Sequence, residues 1–313
     1  MVMPISTRQS NDAGTEAPPT SWVEVFRRAF LERGSGDAPD RGLAWLAAGL
    51  VLIHLLLVAR NWSAGQLGIN LICYLAVIVL LRRRKDPVVG DSGALPTLTG
   101  MALLGLLFLN SAFYRPGQKE LLYLFPLLGG LSLSLLAAGF RGVRIFWKEL
   151  TILFFLGVPR GFLAQWIDFA PITAQAAGFL LWYAGYDVKL TGVDLGLPGG
   201  SVIVSSDCDG TEAMTYVVCL AVVFMMLFPL RWGQRTQVAL LALGASFLIN
   251  AVRVAVLAVI QSTGNSHAFD FWHQGQASFL WTMLPVLVLG GFCLWLVRKP
   301  REEAAEPPDP PSE

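Results

Sequence analysis

The chain has 313 residues, of which 54% are hydrophobic and only 14% are charged, and its formal net charge is +1. Soluble domains carry about 25% charged residues, so a soluble globule of this size would have too little polar surface to cover itself. The composition excludes a disordered chain, a collagen-like fibre and a nucleic-acid binder that relies on bulk charge, and it indicates a polytopic membrane protein. Four cysteines also exclude a disulfide-dense secreted scaffold.

Eight apolar stretches approach the length of a transmembrane helix, which needs about 20 mostly apolar residues. We expect spans near residues 42–59, 65–81, 95–112, 121–139, 149–167, 210–229, 236–262 and 277–297. This pattern predicts an all-α polytopic membrane protein with an integral membrane region at 42–297. The N-terminal segment 1–41 holds one candidate surface helix at 21–33, and the Pro- and Glu-rich tail 298–313 is typical of disorder.

The basic residues are distributed unevenly between the two sides of the predicted membrane region. Seventeen of the 23 lie in the termini and loops of one side, four lie on the opposite side, and two, Arg160 and Arg253, lie within spans. Cytoplasmic loops of membrane proteins carry the excess of Lys and Arg. Both termini are therefore predicted to be cytoplasmic.

Residues 168–186 and 187–206 are predicted to lie on the outer face. Polar and small residues interrupt the apolar pattern of 168–186, which favours an interfacial or re-entrant helix. A ninth span there would reverse the charge pattern beyond it. Residues 187–206 contain alternating apolar positions broken by Pro198-Gly199-Gly200, which predicts a small extracytoplasmic β-hairpin just before Cys208.

Cys208 is the cysteine best placed for chemistry. Cys73, Cys219 and Cys293 fall in the apolar middle of spans, where a cysteine behaves as a small hydrophobe. Cys208 stands at a polar boundary before a helix start, and a helix N-terminus together with a cation lowers a thiol pKa. An intrachain disulfide has no partner on that side, but an unreactive loop thiol stays open as an alternative.

Arg253 and His273 are predicted at the same outer level as Cys208. Arg253 lies about 26 Å up the span 236–262 at 1.5 Å per residue, and Asn250 shares its helix face. Intramembrane charges are usually functional, although a snorkelling arginine and an idle loop histidine are the plainer alternatives. In cysteine-protease logic, Cys208 attacks a peptide carbonyl, His273 acts as acid and base, and Arg253 stabilises the oxyanion or the thiolate.

Three short motifs resemble those of the exosortase/archaeosortase family. They are Cys208-Asp209-Gly210, Asn250-Ala251-Val252-Arg253 and Phe271-Trp272-His273, and the resemblance covers roughly residues 150–297. Members are multispanning cysteine transpeptidases that act on exported proteins with a C-terminal sorting tail of the PEP-CTERM kind: a short motif, one transmembrane helix and a basic cluster. The resemblance implies that Cys208, Arg253 and His273 are the catalytic set. Asp209 departs from the small or hydroxyl residue that members commonly have after the cysteine.

Substrate contacts are expected from Asn250, Gly210, Asp209 and Arg160. Asp209 is suited either to pair with Arg253 or to receive a basic substrate group. Arg160 has two possible interpretations: it is a residue of the substrate groove, or it is the ion-pair partner of Asp168 or Glu149. The acidic residues around Cys208 match no metal-binding spacing, so no metal is expected.

The resemblance also implies partners and a location. The partners are exported proteins with a sorting tail, membrane lipid, and a surface acceptor such as lipid or polysaccharide, with no cofactor and no nucleic acid. The site would face outward from the bacterial inner membrane. Two other function classes stay open, a transporter whose path is lined by Arg160, Asn250 and Arg253, and a non-catalytic assembly factor for surface polysaccharide or protein export. The chain shows no repeat halves or paired broken helices, which counts against a transporter.

Overall fold

The computed structural model describes residues 41–61, 64–84, 92–115, 120–206 and 208–298. The N-terminal segment with its candidate helix at 21–33, Asp207 and most of the predicted tail lie outside the described residues. The elements in chain order are α1 (Arg41–Asn61), α2 (Ala64–Arg82), α3 (Ala94–Ala112), α4 (Glu120–Ile145), α5 (Trp147–Trp166), α6 (Ala170–Tyr183), β1 (Lys189–Thr191), β2 (Asp194–Leu197), β3 (Gly200–Ile203), α7 (Thr211–Leu227), α8 (Trp232–Ser262), α9 (Ser266–His273) and α10 (Ser278–Arg298).

All eight predicted spans are helices in the structure. Six stretches within the described part of the chain are long and apolar enough to cross a membrane. These are Gly42–Arg60, Gly65–Arg82, Ala94–Ala112, Leu122–Ile145, Trp232–Ser262 and Ser266–Arg298. Of the other two helices, α7 is apolar but has 17 residues, and α5 carries Lys148, Glu149 and Arg160. The prediction of an all-α polytopic membrane protein is confirmed.

Helix α7 lies at the centre of the bundle and packs on both sides. One core cluster joins it to α2 and α5, and another joins it to α8 and α10. The three mid-span cysteines are free and buried in these clusters, and the Sγ atoms of Cys73 and Cys219 lie 3.3 Å apart. Their predicted role as packing residues agrees with these positions. The start of α7 is thereby fixed relative to the helices that surround it.

The predicted outer-face region forms one helix and a sheet of three strands. Helix α6 has 14 residues, or about 21 Å at 1.5 Å per residue, which is shorter than the roughly 30 Å hydrocarbon core of a bilayer. The sheet has the antiparallel order β1-β2-β3. The predicted hairpin is the β2–β3 pair, and the prediction missed β1, a strand of three residues that is too short to show a pattern.

The sheet packs against α6 and the C-terminal half of α8. Leu195 of β2 is fully buried, and Val202 opposite it is 8% exposed. Both belong to a core cluster that also contains Ala174 of α6, Val254 of α8 and Cys208. This cluster fixes the loop that leads from β3 into α7 against the end of the bundle.

Candidate active site

Cys208 lies in the turn that connects β3 to α7. Its backbone N–H donates to the carbonyl of Ser205 at 2.9 Å, and the residue is only 5% exposed. Gly210 follows as the N-cap of α7 with a φ of 88°, a left-handed conformation that glycine adopts without a Cβ penalty. The thiol is thus placed two residues before the N-cap of a helix, within the core cluster it shares with the sheet.

His273 meets Cys208 at hydrogen-bond distance. The Cys208 Sγ and the His273 Nε2 lie 2.8 Å apart, although the two residues are 65 positions apart in the chain. His273 is the last residue of α9, whose N-cap Asn265 accepts from the N–H of Ala268 at 2.9 Å. The ring lies against Phe269, with the centroids 5.1 Å apart. The structure therefore brings together two of the three predicted catalytic residues.

Arg253 holds the end of α9 from the neighbouring helix α8. Its Nη2 donates to the backbone carbonyl of His273 at 3.0 Å. Its Nε is buried and has no hydrogen-bond partner among the described residues. A buried donor without a partner costs free energy, so this N–H would gain from an acceptor. Arg253 is thus adjacent to the Cys208–His273 pair through the backbone of His273.

Asn250 and Gly210 determine the position of the Cys208 backbone. The Asn250 Nδ2 donates to the carbonyl of Cys208 at 2.9 Å. A Cβ built on Gly210 would lie 2.6 Å from that same nitrogen, so only glycine fits between the loop and α8. Asn250 is 5% exposed. These two residues were predicted as substrate contacts. In the structure they contact each other and hold the backbone of the loop that carries Cys208.

Asp209 is buried and bonded locally. Its two carboxylate oxygens accept from the N–H of Thr211 at 2.8 Å and from the Thr211 hydroxyl at 2.7 Å. The Asp209 carbonyl accepts from the Thr173 hydroxyl of α6 at 2.9 Å. Sequence reasoning missed Thr173, because only the packing of α6 against the α7 start reveals its role. A carboxylate at a helix N-terminus is favourable for the helix, and this gives Asp209 a structural explanation.

Arg160 belongs to a separate polar cluster on the other side of α7. Its guanidinium contacts Glu212 at 2.8 Å, and it also donates to the buried Gln66. The Tyr216 hydroxyl lies 2.7 Å from the Glu212 carboxylate and also contacts Gln66, and its ring centroid lies 5.0 Å from the Arg160 guanidinium. The ion pair that the structure gives Arg160 is thus with Glu212, which the sequence did not suggest. Of the two carboxylates suggested instead, Glu149 pairs with Arg84 at 2.7 Å.

A cavity of about 450 Å³ opens beside the Cys208–His273 pair. It is bounded by β3, by the C-terminal half of α8 and by α9. Asp270 supplies a carboxylate to its wall, and Ser201, Ser205, Ser266 and Gln261 supply neutral polar groups. The four residues predicted as substrate contacts are not among those that line it. The described residues contain no group of three His, Cys, Asp or Glu that could hold a metal ion.

This arrangement suits nucleophilic chemistry. A thiol at 2.8 Å from an imidazole nitrogen can pass its proton to that nitrogen as it attacks an electrophile. The adjacent cavity offers room for a ligand, since pockets for small ligands measure about 300–1,000 Å³.

Comparison with known proteins identifies the family. No match was found among curated proteins or among solved structures. The family model for the transmembrane exosortase (Exosortase_EpsH) matches residues 61–290, which is more than half of the chain and includes Cys208, Arg253 and His273. The protein is therefore an integral membrane protein that belongs to the transmembrane exosortase family.

Proposed function

We propose that the protein is a membrane-embedded cysteine transpeptidase that cleaves the C-terminal sorting tail of exported proteins. The observation that carries the proposal is the 2.8 Å contact between the Cys208 Sγ and the His273 Nε2 next to a cavity of peptide-binding size. Membership of the exosortase family supports the reaction class. The substrate is a short motif followed by one transmembrane helix and a basic cluster.

In the first half of the reaction the cargo becomes bound to the enzyme. The Sγ of Cys208 attacks the scissile carbonyl carbon while its proton passes to the His273 Nε2. The tetrahedral oxyanion accepts a hydrogen bond from the unpartnered Nε–H of Arg253. His273 then returns the proton to the leaving amine, the C–N bond breaks, and the tail departs. A thioester between Cys208 and the cargo remains.

In the second half an acceptor releases the cargo. A nucleophile such as the amine or hydroxyl of a surface lipid or polysaccharide attacks the thioester carbonyl, and His273 takes its proton. The C–S bond breaks, and the proton returns to Cys208. Water in place of the acceptor would give simple hydrolysis by the same steps.

The proposal includes a location and an orientation. The protein lies in the bacterial inner membrane with the Cys208 site on the extracytoplasmic face and both termini in the cytoplasm. The excess of basic residues in one set of loops supports this orientation. The sheet and α9, which surround the cavity, belong to the opposite, charge-poor set of loops.

The test is processing of a tailed cargo. A secreted reporter carries the C-terminal tail of a protein from the same genome that ends in a short motif, one apolar span and a basic cluster. Cys208→Ala should abolish tail removal while the variant stays in the membrane. The matched control Cys293→Ala alters a buried packing cysteine and should keep processing.

A second readout separates the enzyme from an assembly factor. Mass spectrometry of acid-quenched wild-type protein should find the cargo attached to Cys208 as a thioester that hydroxylamine releases. Processing at the normal rate by Cys208→Ala would end the proposal.

A further inference from the structure

Strand β3 has one edge that no other described strand covers. The sheet order β1-β2-β3 pairs β3 only with β2. The Val204 N–H donates to the Val193 carbonyl at 2.9 Å, and the register pairs Leu195 with Val202. Residues of an antiparallel strand direct their N–H and C=O groups alternately to one side and the other. Val202 therefore bonds β2, and the backbone groups of Ser201 and Ile203 point away from it.

The free edge of β3 borders the cavity beside Cys208. Ser201, Val202 and Ile203 all line the cavity, although successive side chains of a strand point to opposite faces. Val202 is buried in the core, whereas Ser201 and Ile203 are exposed. A cavity that touches three consecutive strand residues meets the strand along its backbone edge. The outward backbone groups of Ser201 and Ile203, which pair with no other described strand, thus face the same space as Cys208 and His273.

This edge also carries no charged side chain and no proline, which are two features that commonly protect sheet edges in native proteins. Such edges commonly carry charged side chains or proline, or are covered by another element. Strand β3 reads Gly-Ser-Val-Ile, and Ile203 is 64% exposed. The opposite edge strand, β1, begins with the charged Lys189. The edge without a charged residue is therefore the one beside the Cys208–His273 pair.

We propose that the free edge of β3 binds the cleavage motif of the cargo as an added strand. The backbone N–H and C=O groups of Ser201 and Ile203 pair with alternate residues of the extended motif, which lays the scissile bond across the cavity toward Cys208. Addition of a strand to an exposed sheet edge is a general mode of peptide recognition. A volume of about 450 Å³ holds a few peptide residues and excludes a folded domain or a second copy of the chain. This inference rests on the proposed function and specifies how its substrate is held.

The first test changes the substrate and leaves the protein intact. Synthetic peptides that contain the motif and span of the tail used above have one backbone amide at a time replaced by an ester, the scissile amide excepted. Each ester removes one N–H donor. The full-length protein in detergent should show a KM raised about threefold to tenfold at two positions spaced by two residues, with the intervening position near the parent value. Equal effects at neighbouring positions, or none at all, would overturn the proposal.

The second test changes the strand. Ile203→Pro removes the outward N–H but leaves the β2–β3 bonds of Val202, because proline is tolerated where the N–H does not serve the ladder. KM for the parent peptide should rise about threefold to tenfold. The matched control Leu190→Pro makes the same change at the outer edge of β1, away from the cavity, and should keep the wild-type KM. A rise of equal size in both variants would contradict the edge pairing.

The two proposals fail in different ways. If the wild-type protein does not cleave the parent peptide or form the thioester, the proposed transpeptidase fails and this inference falls with it. If cleavage depends on Cys208 but shows no alternation along the peptide, only the edge pairing is wrong.

Discussion

Replacing Gly210 with alanine should lower the activity strongly while the protein stays folded. The new Cβ would lie 2.6 Å from the Asn250 Nδ2, and ordinary contact begins at about 3.4 Å, so loop and side chain must separate by about 0.8 Å. That movement breaks the bond from Asn250 to the Cys208 carbonyl. A left-handed alanine costs about 1–2 kcal/mol and the lost hydrogen bond about 1 kcal/mol, so the free energy of unfolding should fall by about 2–3 kcal/mol.

The expected loss of activity follows from the same displacement. A misplacement of about 1 Å in a catalytic group can lower the rate about 100-fold. We therefore expect kcat for tail cleavage by Gly210→Ala to fall by roughly that factor, with thermal unfolding of the detergent-solubilised protein shifted by only a few degrees.

The control is Gly185→Ala. Gly185 has the same φ of 88°, but a Cβ there meets no atom within 4 Å. It carries the backbone strain without the collision, so its kcat should stay near the wild-type value. In an Asn250→Ala background, the atom nearest to the new Cβ of residue 210 is the Cβ of residue 250, at 3.0 Å. The loss of kcat caused by Gly210→Ala should then be smaller. Independent, additive effects of the two substitutions on kcat would refute the reasoning.

Two further predictions concern Arg253 and the orientation of the chain. Arg253→Lys removes the buried Nε–H and should lower kcat about 100- to 1,000-fold with little change in KM; near-normal cleavage of the tail peptide would assign Arg253 to snorkelling instead. In a Cys208→Ala background, Lys189→Cys should react with a membrane-impermeant maleimide in intact cells, whereas Arg144→Cys should react only after permeabilisation. The reverse pattern would place the sheet in the cytoplasm.

The helices could be predicted from the sequence because a bilayer requires long apolar stretches, and these are visible without any knowledge of packing. The predicted end of the second span differs from that of α2 by one residue. The sheet was predicted less completely. The Pro198-Gly199 turn predicts the β2–β3 hairpin. Strand β1 could not be predicted in the same way, because it is recognised only by its pairing with β2.

The sequence predicted that the site residues lie at the same height in the bundle, but it did not predict which atoms contact one another. Charge and hydropathy placed Cys208, Arg253 and His273 at one end of the bundle, and the structure adds that the thiol meets the imidazole while Arg253 bonds the backbone carbonyl of His273. The roles of Thr173 and Glu212 could not be predicted, because they depend on how α5 and α6 pack against α7. Side-chain contacts between distant helices leave no periodic trace in a single sequence.

The burial of Cys208 bears on the survival of the enzyme between turnovers. In the proposed orientation Cys208 faces the bacterial periplasm, which is kept oxidising by proteins that exchange disulfides. Exchange requires a disulfide sulfur to reach the thiol directly, and Cys208 is 5% exposed beside a cavity of about 450 Å³. A cavity of this volume is too small for a protein disulfide but large enough for peroxide, whose first oxidation product, a sulfenic acid, is reversible. If the cavity holds the cargo as proposed, bound cargo blocks that last route, and we expect the protein without cargo to be the form more sensitive to peroxide.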